Sequence, residues 1–160
     1  MVLIVSFFVE PISAFADSPN TDNLDGKKLI ERAENVRFYD VQTNSVYEIT
    51  INHSAQYSDY NGVIACISAT ASDSNCKIKA IYGTVKLRDY NDYDYGTYDI
   101  SVVKLVPGRV ISQCVSTFKT FEYGIPDLFL EYDYEIVLVN GTVLNGNHRQ
   151  YTLGPLSIDI

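Results

Sequence analysis

Between Arg88 and Asp99 the chain reads RDYNDYDYGTYD, which sets four acids, four tyrosines and one glycine in twelve positions. Two kinds of chemistry suit those residue types. The side-chain oxygens of Asp89, Asp92 and Asp94 are hard donors of the sort calcium takes. The rings of Tyr90, Tyr93 and Tyr95 offer flat faces to a sugar, with the neighbouring acids as acceptors for its hydroxyls. Counted from Asp89, however, the fifth position is Tyr93, the sixth Asp94 and the twelfth Ile100. An EF-type loop wants an oxygen ligand, a glycine and a glutamate there. An irregular site on Asp89, Asp92 and Asp94 is therefore the one calcium reading, and no other cofactor is expected. Asn and Asp around a single Gly also suit a plain hairpin connection. The hairpin is the expected structure, with a binding role laid over it, since exposed loops carry function.

Catalytic signatures are absent from the sequence. There is no G-x-S-x-G, no Cys-x-x-Cys and no glycine-rich phosphate loop. His53 and His148 stand among polar neighbours and read as surface residues. Glu131, Asp133 and Glu135 alternate along one segment, as the solvent face of an amphipathic strand would. The expectation is a non-enzymatic binding or surface-associated module with a protein or carbohydrate ligand. The alternative is a secreted hydrolase of cell-wall or extracellular glycans, which would need two acids facing each other across a cleft.

Charge and composition narrow the partners. Twelve basic residues against twenty acids give a formal net charge of −8, which opposes binding to nucleic acid or to anionic membrane surfaces. Val2–Phe8 (VLIVSFF) is an apolar run, followed by Ala14-Phe15-Ala16 with the small-x-small form of a signal-peptidase site. Residues 1–16 are thus expected to be a signal peptide lacking its basic n-region, and the protein to be secreted. The run is too short to span a bilayer. Residues 17–35 read as a flexible leader ending in one short helix, because Leu29, Ile30, Ala33 and Val36 fall at helical spacing.

From residue 36 the period becomes two. Tyr47, Ile49 and Ile51 alternate with Glu48, Thr50 and Asn52, and Leu130, Tyr132, Tyr134, Ile136 and Leu138 do so against Glu131, Asp133 and Glu135. In CKIKAIYGTVKLR the inward parity changes, with Gly83 as the expected bulge. TYDISVVKLV slips likewise around Val102-Val103. Pro107-Gly108, Asn140-Gly141 and Asn145-Gly146 read as turns, and Asp73-Ser74-Asn75 as a loop. Short strands at this spacing predict an all-β fold: a single antiparallel β-sandwich over residues 36–160.

Three cysteines in an oxidising compartment imply one disulfide and one thiol. Cys76 shares parity with Ile78 and Ala80, and Cys114 groups with Val110 and Phe118, so both are expected to face the core and to pair. Parity in GVIACISAT cannot be read, which leaves Cys66–Cys114 open.

Taken together, Ala69-Thr70-Ala71, CKIKAIYGTVKL, YDYEIVLVNGTVL and the closing LSIDI resemble small secreted β-sandwich proteins of Gram-positive bacteria. Those are immunoglobulin-like in architecture and largely of unknown function. The likeness covers residues 62–160. The chain departs from the pattern in having no tryptophan, and in carrying Glu135 where an arginine is expected. The resemblance implies an immunoglobulin-like fold and export, and it assigns no site.

Overall fold

A computed structural model describes residues 4–8, 26–91, 93–120, 124–125, 127–153 and 156–157; the side chains of 4–8, 124–125, 148 and 156–157 are excepted. The strands are β1 (Ile4–Phe8), β2 (Lys28–Asp40), β3 (Ser45–Ser58), β4 (Gly62–Ala71), β5 (Ile78–Asp89), β6 (Asp94–Gly108), β7 (Val110–Ser116), β8 (Gly124–Ile125), β9 (Leu128–Leu138), β10 (Val143–Thr152) and β11 (Leu156–Ser157). One sheet runs β1-β2-β3-β4-β7 and the other β10-β9-β5-β6, all neighbours antiparallel, while β8 and β11 pair separately. The two larger sheets pack face to face as a β-sandwich.

Alternation builds the core. Tyr47, Ile49, Ile51, Ala55 and Tyr57 on β3 turn inward to meet Leu130, Tyr132, Tyr134, Ile136 and Leu138 on β9, and all are buried. Each pleat sends every second side chain to the same face, so one apolar parity per strand closes the interior. β6 passes directly into β7 and so from one sheet to the other, closing one flank of the sandwich. The opposite flank carries β2, with the edge strand β1 alongside it, on one sheet and β10 on the other.

Among the described residues there is no helix. The expected helix before Val36 is strand β2, and the sandwich begins at Lys28. Leu29, at a register shift, and Ile30, Val36 and Phe38 are its buried apolar residues. Between them Arg32 and Glu34 occupy the same parity, and these charges broke the apolar alternation in the sequence. Residues 1–3 and 9–25, with the Ala16 cleavage position and most of the expected leader, lie outside the described residues. Ile4–Phe8 of the apolar run lies along β2, Ile4 opposite Phe38 and Phe8 opposite Glu34.

The phase slips are real but placed differently. On β5 one irregularity falls between Ile78 and Ala80, against both neighbouring strands, and a second between Leu87 and Arg88 against β6, neither of them at Gly83. On β6 the pairing jumps from Val103 to Gly108, beyond the expected Val102-Val103 position and at the crossing between sheets. Asn140-Gly141 makes the expected turn between β9 and β10, and Asp73 closes the β4–β5 loop by accepting the Asn75 amide at 2.7 Å. Asn145-Gly146 does not turn. Gly146 lies inside β10 directly beneath the Tyr134 ring, where a Cβ would come within 2.1 Å of the ring carbon Cζ.

Gly83 has another use. Its φ is +152°, and a Cβ there would lie 2.1 Å from the Asp133 carbonyl oxygen of β9. The obstacle is backbone at the centre of a sheet, which cannot swing aside. Gly83→Ala should therefore lower stability by about 2–3 kcal/mol in urea denaturation. A neutral outcome would mean that β5 and β9 are not paired in this register.

The cysteine pairing needs correction. The disulfide joins Cys66 to Cys114, and Cys76 is the free, buried thiol. Cys76 does face inward as expected. Cys114 does not, because Ile111 sets the inward parity of β7 and Cys114 has the opposite one. Cys66 and Cys114 stand directly across from each other on β4 and β7, with Cα atoms 4.1 Å apart on the outer face.

Candidate functional site

The β5–β6 connection is the hairpin expected from its turn residues. The Asp89 amide donates to the Tyr93 carbonyl at 3.1 Å. The Asp89 carboxylate accepts from the Asn91 and Tyr93 amides at 2.8 and 2.9 Å, and that of Asp94 accepts from the Gly96 amide at 2.8 Å. Lys86 lies 3.5 Å from Asp94. These acids thus hold the turn together by capping amides, the local bonding that favours Asp in loops. Asp92 lies outside the described residues. No group of three or more His, Cys, Asp or Glu among the described residues could hold a metal ion.

The tyrosines do assemble a surface. Tyr90 packs on Phe129 of β9 with ring centroids 4.1 Å apart, and Tyr93 meets Tyr95 edge-on at 4.9 Å. Tyr90 and Tyr93 remain 57% and 62% exposed. Beside them the Arg88 guanidinium lies 5.5 Å from the Phe129 ring centre and 2.5 Å from Glu131. Antiparallel register explains the grouping, because Arg88 and Phe129 stand opposite each other and share the outer face of the four-stranded sheet. The sequence pointed to Tyr90, Tyr93 and Tyr95. It did not single out Arg88 or Phe129, which only strand pairing brings to them. Glu131, Asp133 and Glu135 continue the same outer face along β9, as their alternation predicted.

A second constellation, which the sequence reading missed, lies between the sheets on the β2/β10 flank. His53, read as a surface residue, is fully buried on β3, with ring contacts to Tyr132, Tyr134 and Tyr151 at centroid distances of 4.8, 5.3 and 5.3 Å. Its Nδ1 is 3.0 Å from the Tyr151 hydroxyl, while Nε2 has no hydrogen-bond partner among the described residues. Glu34 is buried too, and Tyr134 donates to its Oε1 at 2.8 Å. Arg149 on β10 reaches Glu34 Oε2 at 3.3 Å across the gap between sheets. Parity placed His53 in phase with Ile51 and Ala55, so this burial was open to detection. Arg149 was not, because a bulge between Gly146 and Arg149 switches the inward parity of β10. The side chain of His148, within that bulge, lies outside the described residues.

Burial sets the protonation states there. It lowers His53 to about 3, with the Arg149 charge acting in the same direction. Burial pushes Tyr151 up to about 12, and it drives Tyr132 and Tyr134 further up. Around neutral pH His53 is therefore neutral and the phenols keep their protons.

A cleft of about 170 Å³ opens at one end of the sandwich between Asp40, Tyr47, Cys76, Leu138 and Asn140. Burial raises the Cys76 thiol to about 11, helped by Asp73 and Asp40, so it stays protonated and unreactive. Burial also raises Asp40, but hydrogen bonds from Asn140, Gln42 and Thr43 outweigh it and hold this carboxyl below its usual value. The cleft is smaller than the roughly 300 Å³ at which small-molecule sites begin.

No known protein family, curated protein or solved structure matches the chain. Among the described residues no helix is long and apolar enough to cross a membrane.

Proposed function

We propose that this protein is a secreted, non-enzymatic binding module, immunoglobulin-like in architecture like the Gram-positive proteins it resembles, and that its ligand is a carbohydrate. The observation that carries the reading is the exposed Tyr90 ring packed on the half-buried Phe129, with the Arg88–Glu131 pair at its edge. Ring faces bury the apolar side of a sugar, and a fixed guanidinium–carboxylate pair supplies both donors and acceptors for hydroxyls. The acidic balance of the chain favours neutral or basic glycans over anionic ones. A disulfide on the outer face fits an oxidising compartment.

The test is a retention assay of the folded protein on a panel of insoluble and soluble polysaccharides, peptidoglycan included. Tyr90→Ala should weaken binding by about ten-fold or more, since a lost stacking contact is worth roughly 1–2 kcal/mol. Binding unchanged by Tyr90→Ala and Phe129→Ala would place the ligand elsewhere. Steady release of reducing ends, abolished by one acid substitution, would replace this reading with hydrolysis.

A further inference from the structure

We propose that the His53 cluster is an acid-sensitive latch, in which protonation of the buried ring frees the β2 and β10 margins of the two sheets from each other. Three features of the cluster carry this. First, the groups facing His53 cannot receive a second cation. From β2 come Arg32, directly opposite His53 in register, and Glu34; from β9 come Tyr132 and Tyr134; from β10 come Arg149 and Tyr151. The β4 residue beside it is the apolar Ile67. Glu34 is the one acid in this set: its Oε1 accepts from the Tyr134 hydroxyl, and its Oε2, which makes no hydrogen bond among the described residues, is ion-paired with Arg149 at 3.3 Å.

Second, the ring is sealed in. It is 0% exposed, and its Nε2 has no acceptor among the described residues, so a proton there would be a buried charge with nothing to bind it. The depressed titration of His53 agrees with that geometry. Third, the cluster bridges the sheets on the flank where, among the described residues, no segment passes from one sheet to the other. Glu34–Arg149, Glu34–Tyr134 and His53–Tyr151 each join β2 or β3 to β9 or β10. The other flank is tied by the chain itself, where β6 runs into β7. The flank that side chains hold together among the described residues is the one that can part.

The direction with pH follows from linkage. His53 is neutral in the fold and titrates near 6.5 once exposed, so its contribution is complete above about pH 6.5 and is lost progressively toward pH 3. At pH 5 the closed state should be disfavoured about thirty-fold relative to pH 8 on account of this one residue.

Hydrogen exchange of the folded chain at pH 7.5 and pH 5, corrected for intrinsic rates, tests the proposal, with a parallel NMR titration of the His53 ring. The expected result is protection lost preferentially in β2 and β10 at pH 5, little loss in β4, β5 and β7, and no ring titration above pH 4. In His53→Gln the selective loss should disappear. A ring that titrates near pH 6.5 in the folded protein would overturn the proposal, as would loss shared evenly by all strands or retained in His53→Gln. Should that variant fail to fold, the ring titration and the strand pattern of the unaltered protein decide it alone.

Discussion

Replacing Cys66 and Cys114 with serine should lower stability by about 4 kcal/mol, the chain-entropy value for a cross-link of this span. The two residues are 48 positions apart, and the loop they close contains β5, β6 and their hairpin. In the unfolded chain that loop costs much freedom to close; in the fold, β4 and β7 already hold the two positions opposite each other. The loss should thus come mainly through the unfolded state, with the sheet intact in the serine variant. Denaturation in urea, with and without reductant, measures it. Cys76→Ala should leave the cross-link in place, and non-reducing peptide mapping should join the Cys66 peptide to the Cys114 peptide. A Cys76-containing cross-link would refute this arrangement of the two sheets.

Arg149→Met should cost about 3 kcal/mol, the lower end of the range for breaking a buried ion pair from one side. Glu34 is 3% exposed, and only Arg149 and the Tyr134 hydroxyl face its oxygens among the contacts described. Removing the cation leaves a carboxylate in the interior with one neutral donor. The value falls low in the range because Arg149 is itself 24% exposed along its side chain, so some water reaches the pair. Arg149→Lys keeps the charge and should recover part of the loss. A change below about 1 kcal/mol for Arg149→Met would show that the flank is hydrated and that Glu34 does not depend on this pair.

What could be read from the residues divides along physical lines. Strands with one charged face and one apolar face, such as β3 and β9, declared themselves by alternation. β2 did not, because two of its inward positions, Arg32 and Glu34, face a polar cluster; their charges masked the period of two and left a helical spacing to be seen. The wrong disulfide has a related cause. Parity on β7 was assigned from Val110 and Phe118, yet Val110 is 50% and Phe118 67% exposed, and Ile111 is the residue that points inward. At the candidate binding site the tyrosines were legible as residue types. Arg88 and Phe129 were not, since cross-strand register between β5 and β9 is what sets them side by side. Arg149 depended on a bulge in β10 that no turn residue announces.

The central claim is that the outer face around Tyr90 and Phe129 binds a carbohydrate. Its most direct test is chemical-shift mapping of the folded, isotopically labelled protein during titration with soluble neutral and amino-sugar oligosaccharides. Saturable shifts are expected, concentrated at Arg88, Tyr90, Tyr93, Phe129 and Glu131, with β3 and β4 unmoved. Saturable shifts centred on any other surface, or none with any sugar of the series, would contradict it.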